Sequence, residues 1–360
     1  MRKYFLFFFS LLFYSAGWAQ TKMHEGYQLS FRYHYGFVIA HTPSLQQFSR
    51  AHFPVYEITL SKLTNGSKPW QRDYHLPDLN LSLLTTNFGN NKILGNAYAL
   101  LPSITFPYLR KNWIHANFRF GAGLAYLSTP FDRLANYKNN AIGSKLNSAI
   151  SVQLETKHQI TRTTRLYVGL ALNHFSNGAT KIPNLGVNLA TANLALAYSF
   201  SQKPILPFDS LQEFKKHNEF FILFCGGFKE IAPAGGDKYG IASASMNFAR
   251  VRSTRGKWGS GIDIFFDGAI KEQFKRDQIP VSNLDVAQIG LNVSWEVIFG
   301  KVSFPLQAGV YLISKYKSNG TVYNRYGIRY HFSKRMIANF SLKTHYAKAD
   351  YFEWGLGYTF

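Results

Sequence analysis

The sequence predicts an all-β protein, a transmembrane antiparallel barrel of an outer membrane, on three observations. The chain of 360 residues is 17% aromatic and contains 28 glycines, yet only 16% of it is charged. Segments in which apolar and polar residues alternate recur from residue 27 to the last residue of the chain. No uninterrupted apolar run of about 18 residues follows the N-terminal segment, so membrane-spanning helices are not expected. Alternating strands in an aromatic-rich chain are typical of a closed barrel in lipid.

The N-terminal nineteen residues are typical of a secretory signal peptide. A positively charged start is followed by an apolar core over residues 5–14 and by a small-residue cleavage site that ends at Ala19. The mature chain is therefore expected to begin at Gln20. An exported chain also fits a barrel over residues 20–360.

The cysteine content limits the cross-links and metal sites that the chain can form, and the charge limits the kinds of partner. Cys225 is the only cysteine, so neither a disulfide within the chain nor a thiolate metal cluster is expected. The formal net charge is +21, which suits a surface that faces the phosphates of an anionic outer leaflet. Nucleic acid would also attract this charge, but export and the barrel pattern argue against nucleic acid as a partner.

Sixteen segments alternate in this way, and each is expected to cross the membrane once. In the segment near residue 290, one face carries Ile289, Leu291, Val293, Trp295, Val297 and Phe299. The final segment ends in Phe360, and a terminal aromatic residue resembles the assembly signal of outer-membrane barrels. The predicted strands are 27–41, 51–64, 78–88, 94–109, 113–127, 146–160, 163–177, 187–201, 218–231, 240–252, 257–270, 285–299, 302–314, 322–333, 335–346 and 351–360.

The links between the predicted strands indicate the topology. Short links follow the even-numbered strands and longer polar links mostly follow the odd ones, as expected of periplasmic turns and outer loops. Two long links, at 66–77 and 202–217, break this rule, and the second divides the strands eight and eight. One barrel of about 14 to 16 strands is favoured, and two eight-stranded units are the alternative. Residues 20–201 carry the candidate site, and residues 218–360 supply the additional strands.

The seventh predicted strand places two polar residues on its lipid-facing side. Leu170 and Leu172 have the same parity as His174 and Ser176. The alternation of the eighth strand, extended backwards, places Asn188 on the same outward side. Polar groups that face hydrocarbon are costly unless they are paired or interfacial. Because the seventh strand rises from the periplasm, these three polar side chains are expected to meet near the outer leaflet.

A serine, a histidine and an asparagine in contact can perform ester hydrolysis. Ser176 would be the nucleophile, and His174 the base that takes its proton. Asn188 would orient the imidazole through its other nitrogen. The alternative is that all three are ordinary residues of the headgroup zone.

The strand turns into a loop directly after this serine. The backbone N–H groups of Asn177, Gly178 and Ala179 would form an oxyanion hole there. Gly178 allows the chain to bend without steric cost. The simpler interpretation is that a Ser-Asn-Gly sequence only forms a turn.

The stretch HFSNGA at residues 174–179, continued by PNLG at 183–186, resembles the motif of the lipid A 3-O-deacylase family. Its members are small barrels whose lipid-facing His and Ser cleave an acyl ester of lipid A. The resemblance implies that His174 is the general base, that Ser176 is the nucleophile and that the substrate is the lipid A of lipopolysaccharide. The third catalytic member of that family is a glutamate, where this chain has Asn188.

The same residues also resemble outer-membrane phospholipase A, whose motif is His-x-Ser-Asn-Gly. Its third catalytic member is an asparagine, at the spacing that separates His174 from Asn188. In the phospholipase an arginine after the glycine of the motif helps to place calcium, whereas this chain has Ala179. No cofactor is therefore expected, and calcium is not supported. Lipid A is the favoured substrate, phospholipid of the outer leaflet is the alternative, and a porin or structural barrel without catalysis is the third possibility.

Other polar residues are weaker candidates. His41 ends the first predicted strand at the outer rim, where it would contact a sugar or a phosphate or simply be a rim residue. Asp263, Asp267 and Glu296 have lumen parity and are expected to form a solvated or salt-bridged network. Three cations of an outer loop would at most clamp lipid phosphates: Lys271, Lys275 and Arg276.

Overall fold

The computed structural model describes most of the chain and shows an all-β protein. The predicted signal peptide and its cleavage site lie outside the described residues. All sixteen predicted strands are present, and their ends lie within a few residues of the predicted ones. The described residues are 26–49, 51–111, 114–200, 214–346 and 348–360.

The first eight strands close into one antiparallel barrel, in which the eighth strand pairs back with the first. They are β1 (Tyr27–Ile39), β2 (His52–Leu63), β3 (Asp78–Thr86), β4 (Ala97–Lys111), β5 (Ile114–Leu127), β6 (Leu146–Gln159), β7 (Thr164–Ser176) and β8 (Val187–Ser199).

The remaining eight strands close into a second antiparallel barrel, in which the last strand pairs with the ninth. They are β9 (His217–Glu230), β10 (Lys238–Ser253), β11 (Gly256–Asp267), β12 (Ala287–Phe299), β13 (Val302–Ile313), β14 (Val322–His331), β15 (Met336–His345) and β16 (Lys348–Thr359).

Two barrels of eight strands therefore replace the favoured single barrel of 14 to 16 strands, and the alternative of two eight-stranded units is confirmed. The physical reason is the pairing of β8. Its backbone bonds to β1, with Leu196 opposite Phe31, so the first sheet has no edge left for β9. The same closure occurs in the second barrel, where Gly227 lies opposite Glu353.

The predicted alternation appears as an apolar outer wall and a polar lumen. On β1, Phe31 and Tyr35 are about half exposed, whereas Arg32 and His34 are buried. On β16, Trp354 and Leu356 are exposed in the same way. An apolar belt around a polar interior is the arrangement of a barrel whose solvent is lipid.

The lumen of the first barrel is filled by side chains. Arg32 pairs with Glu155 at 2.7 Å, and Arg119 pairs with Glu57 at the same distance. Towards the outer end, an apolar cluster replaces these ion pairs, and a 3₁₀ helix of the first outer loop (Pro43–Phe48) contributes to it. Eight strands enclose just enough space for side chains, so the interior is a core and not a channel.

The lumen of the second barrel contains the predicted salt-bridged network. Asp263 pairs with Arg325 at 3.0 Å. Asp267 pairs with Lys229, and Glu296 pairs with a second arginine of the lumen. The structural interpretation of these three acidic residues is therefore confirmed.

Two short helices lie in the links. Helix α1 (Pro69–Asp73) lies in the long link between β2 and β3. Helix α2 (Gly268–Arg276) begins where the predicted eleventh strand was expected to continue, because the side chain of Asp267 accepts a hydrogen bond from the N–H of Ala269 at 2.9 Å and caps the helix. Among the described residues, no helix is long and apolar enough to cross a membrane.

The two barrels touch at their periplasmic ends. The ring of Tyr74, which follows α1, lies 4.5 Å from that of Phe299 at the end of β12. Its hydroxyl donates to the carbonyl of Arg255 at 3.0 Å. Burial raises the pKa of Tyr74 to about 12, so this phenol keeps the proton that it donates. A second contact, at the outer ends, involves the candidate site.

Candidate active site

Strands β7 and β8 carry the candidate catalytic residues at their outer ends. In the pairing of the two strands, His174 lies directly opposite Asn188. Ser176 is two residues further along β7, on the same face as the histidine. The outward parity of these residues is that of Leu170 and Leu172, which are 66% and 54% exposed on the lipid-facing wall.

The three side chains form a continuous hydrogen-bonded chain. Nε2 of His174 lies 2.9 Å from Oγ of Ser176. Nδ1 of the same ring lies 2.6 Å from Oδ1 of Asn188. The structure thus brings together the three residues that the sequence singled out, and joins them in the order Ser176, His174 and Asn188.

A fourth residue, His41, extends this chain. Its Nδ1 lies 3.0 Å from Nδ2 of Asn188, and its Nε2 lies 3.1 Å from the backbone carbonyl of Leu185. The sequence analysis placed His41 at the outer rim but did not connect it with the site. It lies just beyond β1, in which Ile39 is opposite Asn188.

The carbonyl of Leu185 sets the direction of every bond in the chain. Because a carbonyl only accepts, Nε2 of His41 must carry the proton, and Nδ1 is left to accept from Asn188. The amide oxygen of Asn188 then faces His174, whose Nδ1–H donates to it. The remaining ring nitrogen of His174 has a free lone pair, which can accept the proton of Ser176. The arrangement therefore holds the imidazole in the tautomer that a general base requires.

A tight turn follows the serine. The N–H of Thr180 donates to the carbonyl of Asn177 at 3.2 Å, and the two residues between them, Gly178 and Ala179, both have φ near +61°. Two successive left-handed residues define a type I′ turn. Ala179 is a non-glycine residue in this region, a conformation that L-residues rarely adopt.

One of the three amides expected in the oxyanion hole has another partner. The N–H of Asn177 donates to Oδ1 of Asn184 at 3.0 Å, so this amide is engaged within the loop. The side chain of Asn177 also donates, to Oγ of Ser144 and to the carbonyl of Lys181, each at 2.8 Å. Asn177 therefore anchors the loop, and the amides of Gly178 and Ala179 are the better candidates for oxyanion contact.

Asn184 belongs to the PNLG stretch and was not given a role from the sequence. Its Oδ1 is held by the amide of Asn177, which leaves Nδ2 as a donor near the serine turn. The PNLG motif was the available signal. The motif alone does not identify the backbone N–H group that donates to the side chain of its asparagine.

Gly186 makes room for the imidazole. Its φ is +78°, and a Cβ at this position would lie 2.8 Å from Cε1 of His174. Its N–H donates to the carbonyl of Ala141 at 2.9 Å, which joins this loop to the preceding outer loop. A side chain here would strain the backbone and displace the ring.

The remaining candidates lie elsewhere. Lys271, Lys275 and Arg276 are on α2 of the second barrel, where Arg276 pairs with Glu272 at 3.2 Å. Within the described ranges, no three His, Cys, Asp or Glu side chains are grouped as a metal site. The expectation that catalysis needs no cofactor, calcium included, stays a prediction.

Two outer-membrane barrels are among the solved structures to which this chain is similar. Neisserial surface protein A is 11% identical, with a TM-score of 0.34, and the alignment covers 48% of this chain and 97% of that one. A mutant porin from Rhodopseudomonas blastica is 11% identical, with a TM-score of 0.19, over 93% of this chain and 99% of that one. No curated protein matches the chain.

Comparison with protein families gives two adjacent matches, one in each barrel. Residues 55–197 match lipid A 3-O-deacylase (PagL), and this range includes His174, Ser176 and Asn188. Residues 218–360 match the C-terminal domain of acyloxyacyl hydrolase. Together the two matches span most of the chain, and the chain therefore belongs to the lipid A 3-O-deacylase family, with a second barrel of the acyloxyacyl hydrolase C-terminal type.

Proposed function

We propose that this protein is a serine esterase of the outer membrane that hydrolyses an acyl ester of lipid A, of the 3-O-deacylase type. The observation that carries the proposal is the chain from Ser176 through His174 to Asn188 on the outward wall of the first barrel. The family match supports the substrate class. The apolar belt of both barrels supports the location.

The first half of the reaction forms an acyl-enzyme. Oγ of Ser176 attacks the ester carbonyl while Nε2 of His174 takes the hydroxyl proton. The carbonyl oxygen becomes an oxyanion, which the amides of Gly178 and Ala179 stabilise, together with Nδ2 of Asn184. As the tetrahedral intermediate collapses, the sugar oxygen departs with the proton from the imidazolium, and the acyl group stays on the serine.

The second half of the reaction releases the fatty acid. Water enters at the headgroup level and gives a proton to His174 as its oxygen attacks the acyl carbon. The second tetrahedral intermediate collapses, and the proton returns to Oγ of Ser176. Asn188 keeps the ring aligned through both halves. A neutral amide stabilises an imidazolium less than a carboxylate does, so orientation is its main contribution.

The outward position of the site fits a lipid that stays in the membrane. Ser176 is on the outward side of β7, beyond the exposed Leu170 and Leu172, at the outer end of the strand, and the residue itself is 6% exposed. Lipid A within lipopolysaccharide is therefore the proposed partner, and it would reach the serine without entering water or the lumen.

The test compares lipids from cells that produce the wild-type protein or Ser176→Ala. Loss of one acyl chain from lipid A in the wild type, detected by mass spectrometry, and at least about a thousandfold less activity in the variant are expected. Ser260→Ala, which alters an exposed serine on the outer wall of the second barrel, is the matched control and should behave as the wild type. Full activity of Ser176→Ala would end the proposal.

The alternatives make different predictions in the same experiment. A phospholipase A-like enzyme would leave lipid A intact and release fatty acid from phospholipids. A pore or structural barrel would release no fatty acid from any lipid and would conduct ions in planar bilayers. Because side chains fill the lumens of both barrels, ion conduction is not expected.

A further inference from the structure

The outer end of the second barrel lies against the turn that follows the catalytic serine. The backbone N–H of Glu230, the last residue of β9, donates to the carbonyl of Ala179 at 3.1 Å. The ring of Phe352, on β16, covers Gly178 so closely that a Cβ at this glycine would overlap its Cδ2 and Cε2 atoms. Gly178 is buried as a result of being covered. The turn thus has a contact with the second barrel at each of its two central residues.

The two contacting groups are themselves held in place. Strands β9 and β16 are neighbours in the second barrel, and Lys229 joins their outer ends through an ion pair with Asp350 at 2.7 Å. The ring of Phe352 stacks on that of Phe340, with 5.2 Å between centroids and 20° between planes. Glu230 is also fixed, because its carboxylate accepts from the N–H of Gly235. The second barrel therefore presents a rigid surface to the turn.

The turn has a conformation that needs such support. Both central residues have φ near +61°, and one of them is an alanine. A left-handed alanine is disfavoured in an isolated chain and persists where its surroundings determine it. The proposed oxyanion donors are the amides of these same two residues, so the contacts from the second barrel act on atoms that the reaction uses.

We propose that the second barrel is a positioning element for the esterase, and that Phe352 and the N–H of Glu230 hold the Gly178–Ala179 turn in the conformation that stabilises the oxyanion. This inference rests on the proposed function. Both residues act through the turn, Glu230 on Ala179 and Phe352 on Gly178, and are therefore positioning residues. The proposal assigns a role in the reaction to the second barrel, although none of its described side chains belongs to the Ser176 chain of hydrogen bonds.

The first experiment uses the full-length protein and measures fatty acid release from lipopolysaccharide in mixed detergent micelles. Phe352→Ala is expected to lower kcat about 10- to 100-fold and to leave KM within about twofold, because oxyanion contact is made in the transition state. Phe352→Leu, which still covers the glycine, should retain most of the activity. The matched control is Trp354→Ala, two residues further on the same face of β16 and 48% exposed, which should retain wild-type kcat.

The outcomes separate this inference from the proposed function. If Phe352→Ala and Trp354→Ala have the same kcat while Ser176→Ala is inactive, the positioning role is wrong and the esterase stands. If the wild type releases no fatty acid, the proposed function itself fails. The heat-dependent shift of each variant in gel electrophoresis reports whether the barrels have folded.

A second experiment decides the question even if Phe352→Ala folds poorly. Gly178→Ala is introduced into the wild type and into Phe352→Leu and Phe352→Ala. The added methyl group overlaps the flat ring of Phe352, whereas the smaller, flexible leucine can move aside and alanine leaves the space open, so the loss of kcat from Gly178→Ala should be at least about fivefold smaller in both truncated backgrounds. Equal losses in every background would show that Phe352 does not confine the turn, and would overturn the proposal.

Discussion

Nδ1 of His41 and Nδ2 of Asn188 lie 3.0 Å apart, although 147 residues separate them in the chain. This contact fixes which end of the asparagine amide faces His174, and hence which nitrogen of the imidazole is free to accept a proton. The direction of the hydrogen bonds in the site therefore depends on a histidine that is bonded to neither Ser176 nor His174. Closure of the first barrel, which pairs β1 with β8, is what brings the two residues together.

Replacement of His41 is expected to reduce the rate without weakening substrate binding. In His41→Ala the amide of Asn188 can turn over, and kcat should fall about three- to tenfold, the equivalent of one hydrogen bond. KM for lipopolysaccharide should not change. His41→Gln, which offers both a donor and an acceptor, should recover part of the loss.

The control for His41 is His52→Ala, which alters an exposed histidine at the outer end of β2. Its kinetic constants should match those of the wild type. A His41→Ala protein with unchanged kcat would contradict the positioning role, and a change in KM alone would indicate contact with substrate instead.

Replacement of Asn188 tests the third position of the catalytic chain. Asn188→Glu introduces the residue of the deacylase family, and we expect activity to be preserved or raised. A carboxylate has no N–H group, so the hydrogen bond that Asn188 donates to Nδ1 of His41 is absent in this variant, while both carboxylate oxygens can accept from His174. Asn188→Ala should lower kcat by about tenfold or more, because the imidazole loses its orienting group. The two variants are compared by their initial rates of fatty acid release. Loss of all activity in Asn188→Glu would show that the pocket requires an amide.

Gly186 is expected to be essential for the position of His174. In Gly186→Ala the new methyl group meets Cε1 of the ring, and a shift of about 1 Å in a catalytic group can reduce the rate about a hundredfold. Gly66→Ala is the matched control, since this glycine, in the link between β2 and β3, has φ of +81° and the atom nearest to an added Cβ would be the flexible end of Leu76, at 3.2 Å. If both variants lose the same activity, backbone strain and not the imidazole is responsible.

The buried ion pairs of the second barrel should matter for stability and not for the reaction itself. Arg325→Met leaves Asp263 and Glu353 buried without their cation, which typically costs about 3–5 kcal/mol. The temperature of the gel-mobility shift should fall accordingly. Arg250→Met, at an exposed position on β10, should leave that temperature unchanged; an equal fall in both variants would argue against the network.

Alternation in the sequence was enough to predict the strands and the outward parity of Ser176 and His174, because lipid contact imposes a period of two residues on every strand. It was not enough to predict which strands close a barrel. The hydrogen bonds that join β8 to β1 are made by backbone atoms, which are the same in every residue. A single large barrel would have paired β1 with β16, and His41 would then have been far from Asn188.

The contacts within the loop after Ser176 could not be predicted from the sequence either. The amide of Asn177 was expected to face the oxyanion, but it meets Asn184, a partner seven residues away that only the folded loop reveals. The capping of α2 by Asp267 was missed for a similar reason, since an aspartate at the end of a strand fits a lumen ion pair equally well. In this structure it serves both purposes.

Ser176 is on the outward side of the barrel wall, so under the proposed function it meets its substrate by diffusion in the two dimensions of the membrane. Collisions arise from lateral diffusion in one leaflet, so turnover follows the mole fraction of lipid A among its neighbours and is indifferent to the volume of the surrounding solution. The rate of hydrolysis by such an enzyme would therefore change with the lipid composition of its own leaflet.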